Sequence, residues 1–121
     1  MRDRPLRLPG PPLGRPHRDL RGAGDPTHVG ALSLDLHLPR CGSLKDKRGA
    51  VKPILVGARQ RYSVAAAEVG YQDRHQRSLL GMAAVAASPS HVEAVLDQVE
   101  RFVWSHPEVE VLAAERTWME A

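Results

Sequence analysis

SLKDKR at residues 43–48 and AEVGYQDRHQRSLLGMAAVAA at residues 67–87 decide the fold of this chain. The first opens a helix. Ser43 is a good N-cap, and Leu44, Val51, Ile54, Leu55, Ala58 and Tyr62 then fall on one side at helical spacing, so the segment reads as a helix over 44–62. Gly49, Pro53 and Gly57 are poor interior helix residues, so only packing against the rest of the domain holds this helix, with a kink expected at Pro53. The second stretch reads as two strands, 64–69 and 77–87, joined by the polar hairpin 70–76. Both strands are apolar on both faces, with Glu68 the main exception, a pattern that predicts burial on two sides.

Working outward, Leu32, Leu34, Leu36 and Leu38 alternate with Ala31, Ser33, Asp35 and His37, the period of two of a strand over 29–38. Pro39 and Gly42 end it. Downstream, Ser88-Pro89 starts a second helix with proline in the first turn, and Val92, Val95, Leu96, Val99, Phe102 and Val103 make its core stripe. His106-Pro107 stops that helix, and 109–119 is the last strand. The order is βαββαβ. Right-handed crossovers then favour an α+β ferredoxin-like sandwich: four antiparallel strands with two helices on one face, strands one and three central.

Residues 1–27 are different in kind. They hold six of the ten prolines, four of the ten glycines and six arginines, with no apolar run. Such a segment buries too little surface to offset its ordering entropy, so it is expected to be a disordered extension to a domain spanning 28–121. It has no apolar region that would make it a secretory signal, and its prolines and acids fit a transit peptide poorly. A native extension and an upstream start-site artefact are both open.

The charge follows the same division. The extension carries six arginines and three aspartates, whereas 28–121 carries eleven basic and eleven acidic side chains. The pI near 9.5 therefore reports the extension. Within the domain the charges separate, with nine basic and three acidic groups over 40–77, and two basic and seven acidic over 78–121. A positive face can steer polyanions even on a neutral domain. The single Cys41 permits no internal disulfide and fits a reducing cytosol. The longest apolar run, residues 79–87, falls far short of the roughly 20 residues that span a bilayer, which predicts a soluble, cytoplasmic protein without membrane contact.

The chemistry-bearing residues are few. At about 100° per residue, Lys45, Arg48, Lys52 and Arg59 form a stripe beside the apolar side of the first helix, a track for phosphates. Cations in a helix's first turn oppose its dipole, so propensity does not account for them. Arg74 and Arg77 add to this rim from the hairpin. An ordinary solvated helix face is the plainer alternative. Lys47 instead lies on the apolar side and must reach water or a carboxylate. Glu68, the lone charge of its strand, is the expected partner in a structural ion pair. Asp35, His37, Asp73 and His75 match no zinc spacing, so no metal site is expected. Cys41 has no flanking motif and reads as a small buried thiol. There is no glycine-rich phosphate loop, no G-x-S-x-G elbow and no CxxC. No cofactor is expected. Strands one and three contain no aromatic residue, which excludes base stacking on the sheet in the manner of RNA-recognition motifs.

Taken together, Val29-Gly30-Ala31-Leu32-x-Leu34-x-Leu36, Ser43-Leu44-Lys45-x-Lys47-Arg48, Ala67-Glu68-Val69, Gln72-Asp73, Gln76-Arg77 and Leu80-Gly81 resemble the YlxP-like family, a bacterial domain of unknown function (number 503). The resemblance covers about residues 28–118. It implies a ferredoxin-like fold and a bacterial cytoplasmic protein. Genes of the family often neighbour those for translation initiation and ribosome maturation, which implies RNA, ribosomes or translation factors as partners. No catalytic residue is established for the family, so none is carried over. Arg74 stands where relatives often have leucine, and the long N-terminal extension is atypical.

Three functional readings result. The first is a non-enzymatic RNA- or ribosome-associated binding protein, using the first helix and the hairpin with Gln72, Asp73 and Gln76. The second is a homo-oligomeric small-ligand or anion-binding module, because two helices cover only one side of the sheet and leave an apolar strip for a homodimer. The third is an enzyme using Lys47, Glu68 and Asp73.

Overall fold

The computed structural model describes residues 26–119. The expected extension, apart from Pro26 and Thr27, lies outside the described residues. The elements are β1 (His28–His37), α1 (Leu44–Tyr62), β2 (Ala65–Gly70), β3 (Arg77–Ala86), α2 (Pro89–Trp104) and β4 (Glu110–Met119). The strands form one sheet in the order β2-β3-β1-β4, every neighbouring pair antiparallel. This is the ferredoxin-like α+β fold, with β1 and β3 central.

Alternation in β1 puts Leu32, Leu34 and Leu36 wholly out of water. On β3 it does the same for Leu80 and nearly so for Met82. Ile54 and Ala58 of α1, and Val92, Leu96, Val99 and Val103 of α2, close the core from above. Each fully buried large aliphatic side chain contributes about 1.5–3 kcal/mol. The other sheet face differs from the expectation of two-sided burial. Val85 and Val69 remain more than half exposed, and Ala65 and Ala67 are exposed too. Unbroken apolar character reports what could be buried, and a single copy supplies only one layer of helices.

Both helix starts follow their capping residues. The Ser43 hydroxyl accepts from the Asp46 N–H at 3.0 Å, and the Asp46 carboxylate accepts from the Gly42 N–H at 3.0 Å. Ser88 likewise accepts from the His91 N–H, with Pro89 in the first turn. Helix α1 continues through Pro53 rather than ending there. The carbonyl that Pro53 leaves without its helical donor belongs to Gly49, and both residues are exposed, so water can serve that carbonyl.

Gly57 has a packing reason. A Cβ there would stand 2.4 Å from Cζ of Phe102. Phe102 is held in turn by edge-on contacts with Tyr62 and His106, so its ring cannot simply step aside. Gly57 is therefore what lets α1 approach α2. Gly57→Ala is expected to destabilise the fold by about 1–3 kcal/mol despite alanine's better helix propensity. Denaturant unfolding measures it, and a stabilised variant would show that the two helices can separate freely.

Two irregularities shape the sheet edges. The β1–β4 register shifts after Asp35, leaving Leu112 of β4 without an opposite residue, and the β2–β3 register shifts between Glu68 and Gly70, leaving Val69 likewise. A bulge in an edge strand increases twist and discourages edge-to-edge aggregation.

Candidate functional site

The first turn of α1 lies over the start of the β2–β3 hairpin, and Lys47 joins them. Its side chain is only 3% exposed, and its ammonium lies 2.8 Å from Oε2 of Glu68. It also donates to the carbonyl oxygens of Tyr71 at 2.8 Å, Arg77 at 3.2 Å and Gln72 at 3.3 Å. The ammonium has three N–H donors for four oxygens, so the longer contacts to Arg77 and Gln72 share a donor at the part-buried hairpin base. Tyr71, whose carbonyl makes the shortest of these bonds, sits in the left-handed region with φ 59°, unusual for a non-glycine residue. Glu68 is fixed from a second side, because the wholly buried Ser78 hydroxyl donates to its Oε2 at 2.7 Å. Lys47, Glu68 and Ser78 thus form a closed network on the core side, pinning hairpin to helix.

Above this pin the cations divide into free and engaged. Lys45, Arg48 and Lys52 are exposed and make no hydrogen bond or ion pair among the described residues. Arg59 reaches from α1 to β2 and donates to the Ala66 carbonyl through Nη2 at 2.6 Å and Nε at 3.1 Å. That carbonyl belongs to the outer strand of the sheet, so Arg59 shields part of the open edge. Arg77 donates to both oxygens of Asp35, at 2.9 and 3.0 Å, and to the Tyr71 hydroxyl at 3.2 Å. Hydrogen bonding to Asp35 is the main cause that raises the Arg77 pKa above its ordinary value. Its guanidinium also lies 4.6 Å from the Tyr71 ring centre, with that of Arg74 at 5.9 Å. Lys45, Arg48 and Lys52 therefore have their donors available, whereas Arg59 and Arg77 have theirs partly in use.

The hairpin polar residues separate as well. Gln76 donates to the Pro39 carbonyl at 3.3 Å, Gln72 reaches the Glu68 carbonyl at 3.5 Å, and Asp73 is exposed. An open cavity of about 480 Å³ runs beside them, bordered by His37, Asp73, Arg74, His75, Gln76 and Arg77. His37 is drawn instead to Glu110 at 2.9 Å, and Asp35 to Arg77. Among the described residues no three His, Cys, Asp or Glu side chains gather closely enough to hold a metal ion. Cys41 is buried, and loss of solvent is the main cause that raises its thiol pKa, so the reactive thiolate is disfavoured.

A second, smaller groove of about 230 Å³ runs between α1 and β2. Val51, Leu55 and Val56 give it apolar walls, Arg48 and Lys52 stand at its exposed side, and Glu68 and Lys47 contribute from below. Sequence reading misses this groove, and it misses Tyr71 and Ser78. Ser78 has a legible signal, being the one polar residue on the core face of β3. Tyr71 has none, because its left-handed backbone and its arginine contacts depend on the hairpin's path.

The charge separation along the sequence is also visible in space. Arg116 of β4 binds Asp97 at 2.8 Å and Glu100 at 3.0 Å, tying the acidic side of α2 to the opposite sheet edge from Lys45, Arg48 and Lys52. No helix is long and apolar enough to cross a membrane among the described residues.

A family model described as "Protein of unknown function (DUF503)" matches residues 29–116. The chain is 40% identical over 90 residues to "Uncharacterized protein YlxP" of Bacillus subtilis (strain 168), an overlap of 74% of this chain and 98% of that relative. Among solved structures, "De novo designed protein Foldit4" is similar at a TM-score of 0.47 and 13% identity, covering 78% of this chain and 99% of that one. A likeness at that level carries no argument about function.

Proposed function

The chain belongs to the DUF503 family of proteins of unknown function, so its role has to be read from its own surface, and we propose that it is a non-enzymatic, cytoplasmic polyanion-binding protein whose ligand is RNA, free or within the ribosome. One observation carries this reading: Lys45, Arg48 and Lys52 stand exposed on one side of α1 without internal partners. Surface cations usually find a carboxylate nearby or lie scattered, and these three lie within about two helical turns of one another. Lys47, buried beneath, fixes the helix that presents them. Arg74 extends the surface from the hairpin, while Arg59 and Arg77 contribute whatever donors their internal bonds leave free. The test is the salt dependence of RNA affinity, in the full chain and in one lacking residues 1–27. Three phosphate contacts to a single strand give a slope of about −2 in log affinity against log salt. Binding lost with the extension alone would move the function to those arginines.

A specific observation also favours self-association. On the open sheet face Val29, Val85 and Met119 stand side by side across three strands, with Val85 63% and Met119 69% exposed. Next to them Ala31, Ala83 and Ala65 make a flat row in register. With strands about 4.8 Å apart, three of them ten residues long and β2 six, the whole open face, its charged Asp35, Arg77 and Glu115 included, measures roughly 600 Å² per copy. Twice that is close to the lower limit of about 1,200 Å² for stable interfaces, so a two-fold dimer in the micromolar range is expected. Sedimentation across that range measures it, with Val85→Asp shifting the chain to monomer. A monomer at every concentration would defeat the dimer and leave RNA binding untouched. The enzyme reading gains no support, because Asp73 lines a different cavity from Lys47 and Glu68, and the Lys47 ammonium is already surrounded by four oxygens.

A further inference from the structure

Resting on the polyanion reading of α1, we propose that the groove between α1 and β2 receives one unpaired base of a single-stranded RNA, with guanine preferred. The groove joins three chemistries that a nucleotide needs together. Arg48 and Lys52 are exposed cations free for a phosphate, while Val51, Leu55 and Val56 offer apolar walls to a ring. Glu68 supplies the third. Its Oε2 is held by Lys47 at 2.8 Å and by Ser78 at 2.7 Å, while its Oε1 has no partner among the described residues. The carboxylate is therefore fixed in orientation, with one acceptor oxygen unused and 21% of the side chain open to solvent.

Size and charge narrow the occupant. At about 230 Å³ the groove is smaller than the roughly 300–1,000 Å³ of sites for drug-sized ligands, which suits one ring rather than several. An ionised carboxylate only accepts hydrogen bonds, so it selects a base edge rich in donors. Guanine presents adjacent N1–H and N2–H donors there. Uracil flanks its single N–H with two carbonyl oxygens, which a carboxylate repels. In a duplex these edges are paired and hidden, so only a single strand can offer them. A second copy docking groove to groove about a two-fold axis is disfavoured, because it would bring the same cations against one another.

The experiment compares the full chain's affinity for three probes of about ten nucleotides: all-uridine RNA, the same with one central guanosine, and a duplex of matched length. The guanosine is expected to tighten binding by about tenfold, the scale of one hydrogen bond to a charged group. Val56→Trp, which fills the groove from a half-buried position, should abolish that gain, so that the guanosine strand binds no more tightly than the all-uridine strand. The unmodified chain alone already decides the matter should this variant fold poorly. Equal affinity for both single strands, or for strand and duplex, overturns the groove proposal while the polyanion reading stands. Binding of no RNA overturns both. An acidic peptide that binds where no RNA does, and is displaced by Val56→Trp, would assign the groove to a protein partner instead.

Discussion

Lys47→Met is expected to lower the free energy of unfolding by up to about 3–5 kcal/mol, a large share of the roughly 5–15 kcal/mol that holds a domain of this size. The loss arises from what is left behind. Methionine fills a similar volume but donates nothing, so the carbonyls of Gln72 and Arg77 lose the ammonium that serves them, while that of Tyr71 keeps the Arg74 N–H at 3.0 Å. Glu68 keeps only the Ser78 hydroxyl on its Oε2. Breaking a buried pair from one side strands the other charge, which is why the effect exceeds the net worth of the pair itself. Glu68→Gln retains an acceptor for Lys47 and should be milder. The double variant Lys47→Met with Glu68→Leu should recover part of the loss, because it removes both charges together. Denaturant unfolding of all three measures this. A change below about 1 kcal/mol in Lys47→Met would mean that water reaches the ammonium and the network is not a pin.

The same residue shows how much the sequence discloses. Lys47 is conspicuous because it falls on the apolar side of α1, and Glu68 because it is the lone charge of an apolar strand. Those two facts suffice to name the pair that the structure brings to 2.8 Å. The four leucines of 32–38 likewise disclose β1, although the strand runs His28–His37 and Leu38 continues into the core beyond its end. Local pattern discloses these features because burial itself is periodic. Contacts that cross between elements are not disclosed in this way. Arg59 looks like one more member of a cationic stripe, and only the packing of α1 beside β2 turns it onto the Ala66 carbonyl. Arg77 meets Asp35 across 42 residues of sequence, through a strand pairing whose register no single segment contains. The bulge at Val69 and the left-handed Tyr71 belong to the hairpin's path, which seven polar or small residues leave undetermined. The groove over Glu68 is a product of these long-range choices, and no motif announces it.

The measurement that bears most directly on the proposed role is the RNA affinity of the triple variant Lys45→Glu, Arg48→Glu, Lys52→Glu beside that of the unmodified chain. These three side chains are exposed and unpartnered, so reversing them should leave unfolding within about 0.5 kcal/mol per site, as is usual for surface changes. Their effect on a polyanion is not local in that sense. Each reversal removes an attraction and installs a repulsion, and the three changes fall within about two turns of one helix. Done without residues 1–27, so that the six arginines there do not mask the result, the unmodified domain should bind a short single strand with a salt slope of about −2. The triple variant should bind more than about tenfold more weakly near 0.1 M salt, with a slope near zero. Unchanged affinity and slope in a folded triple variant would contradict the assignment of α1 as the RNA-binding surface.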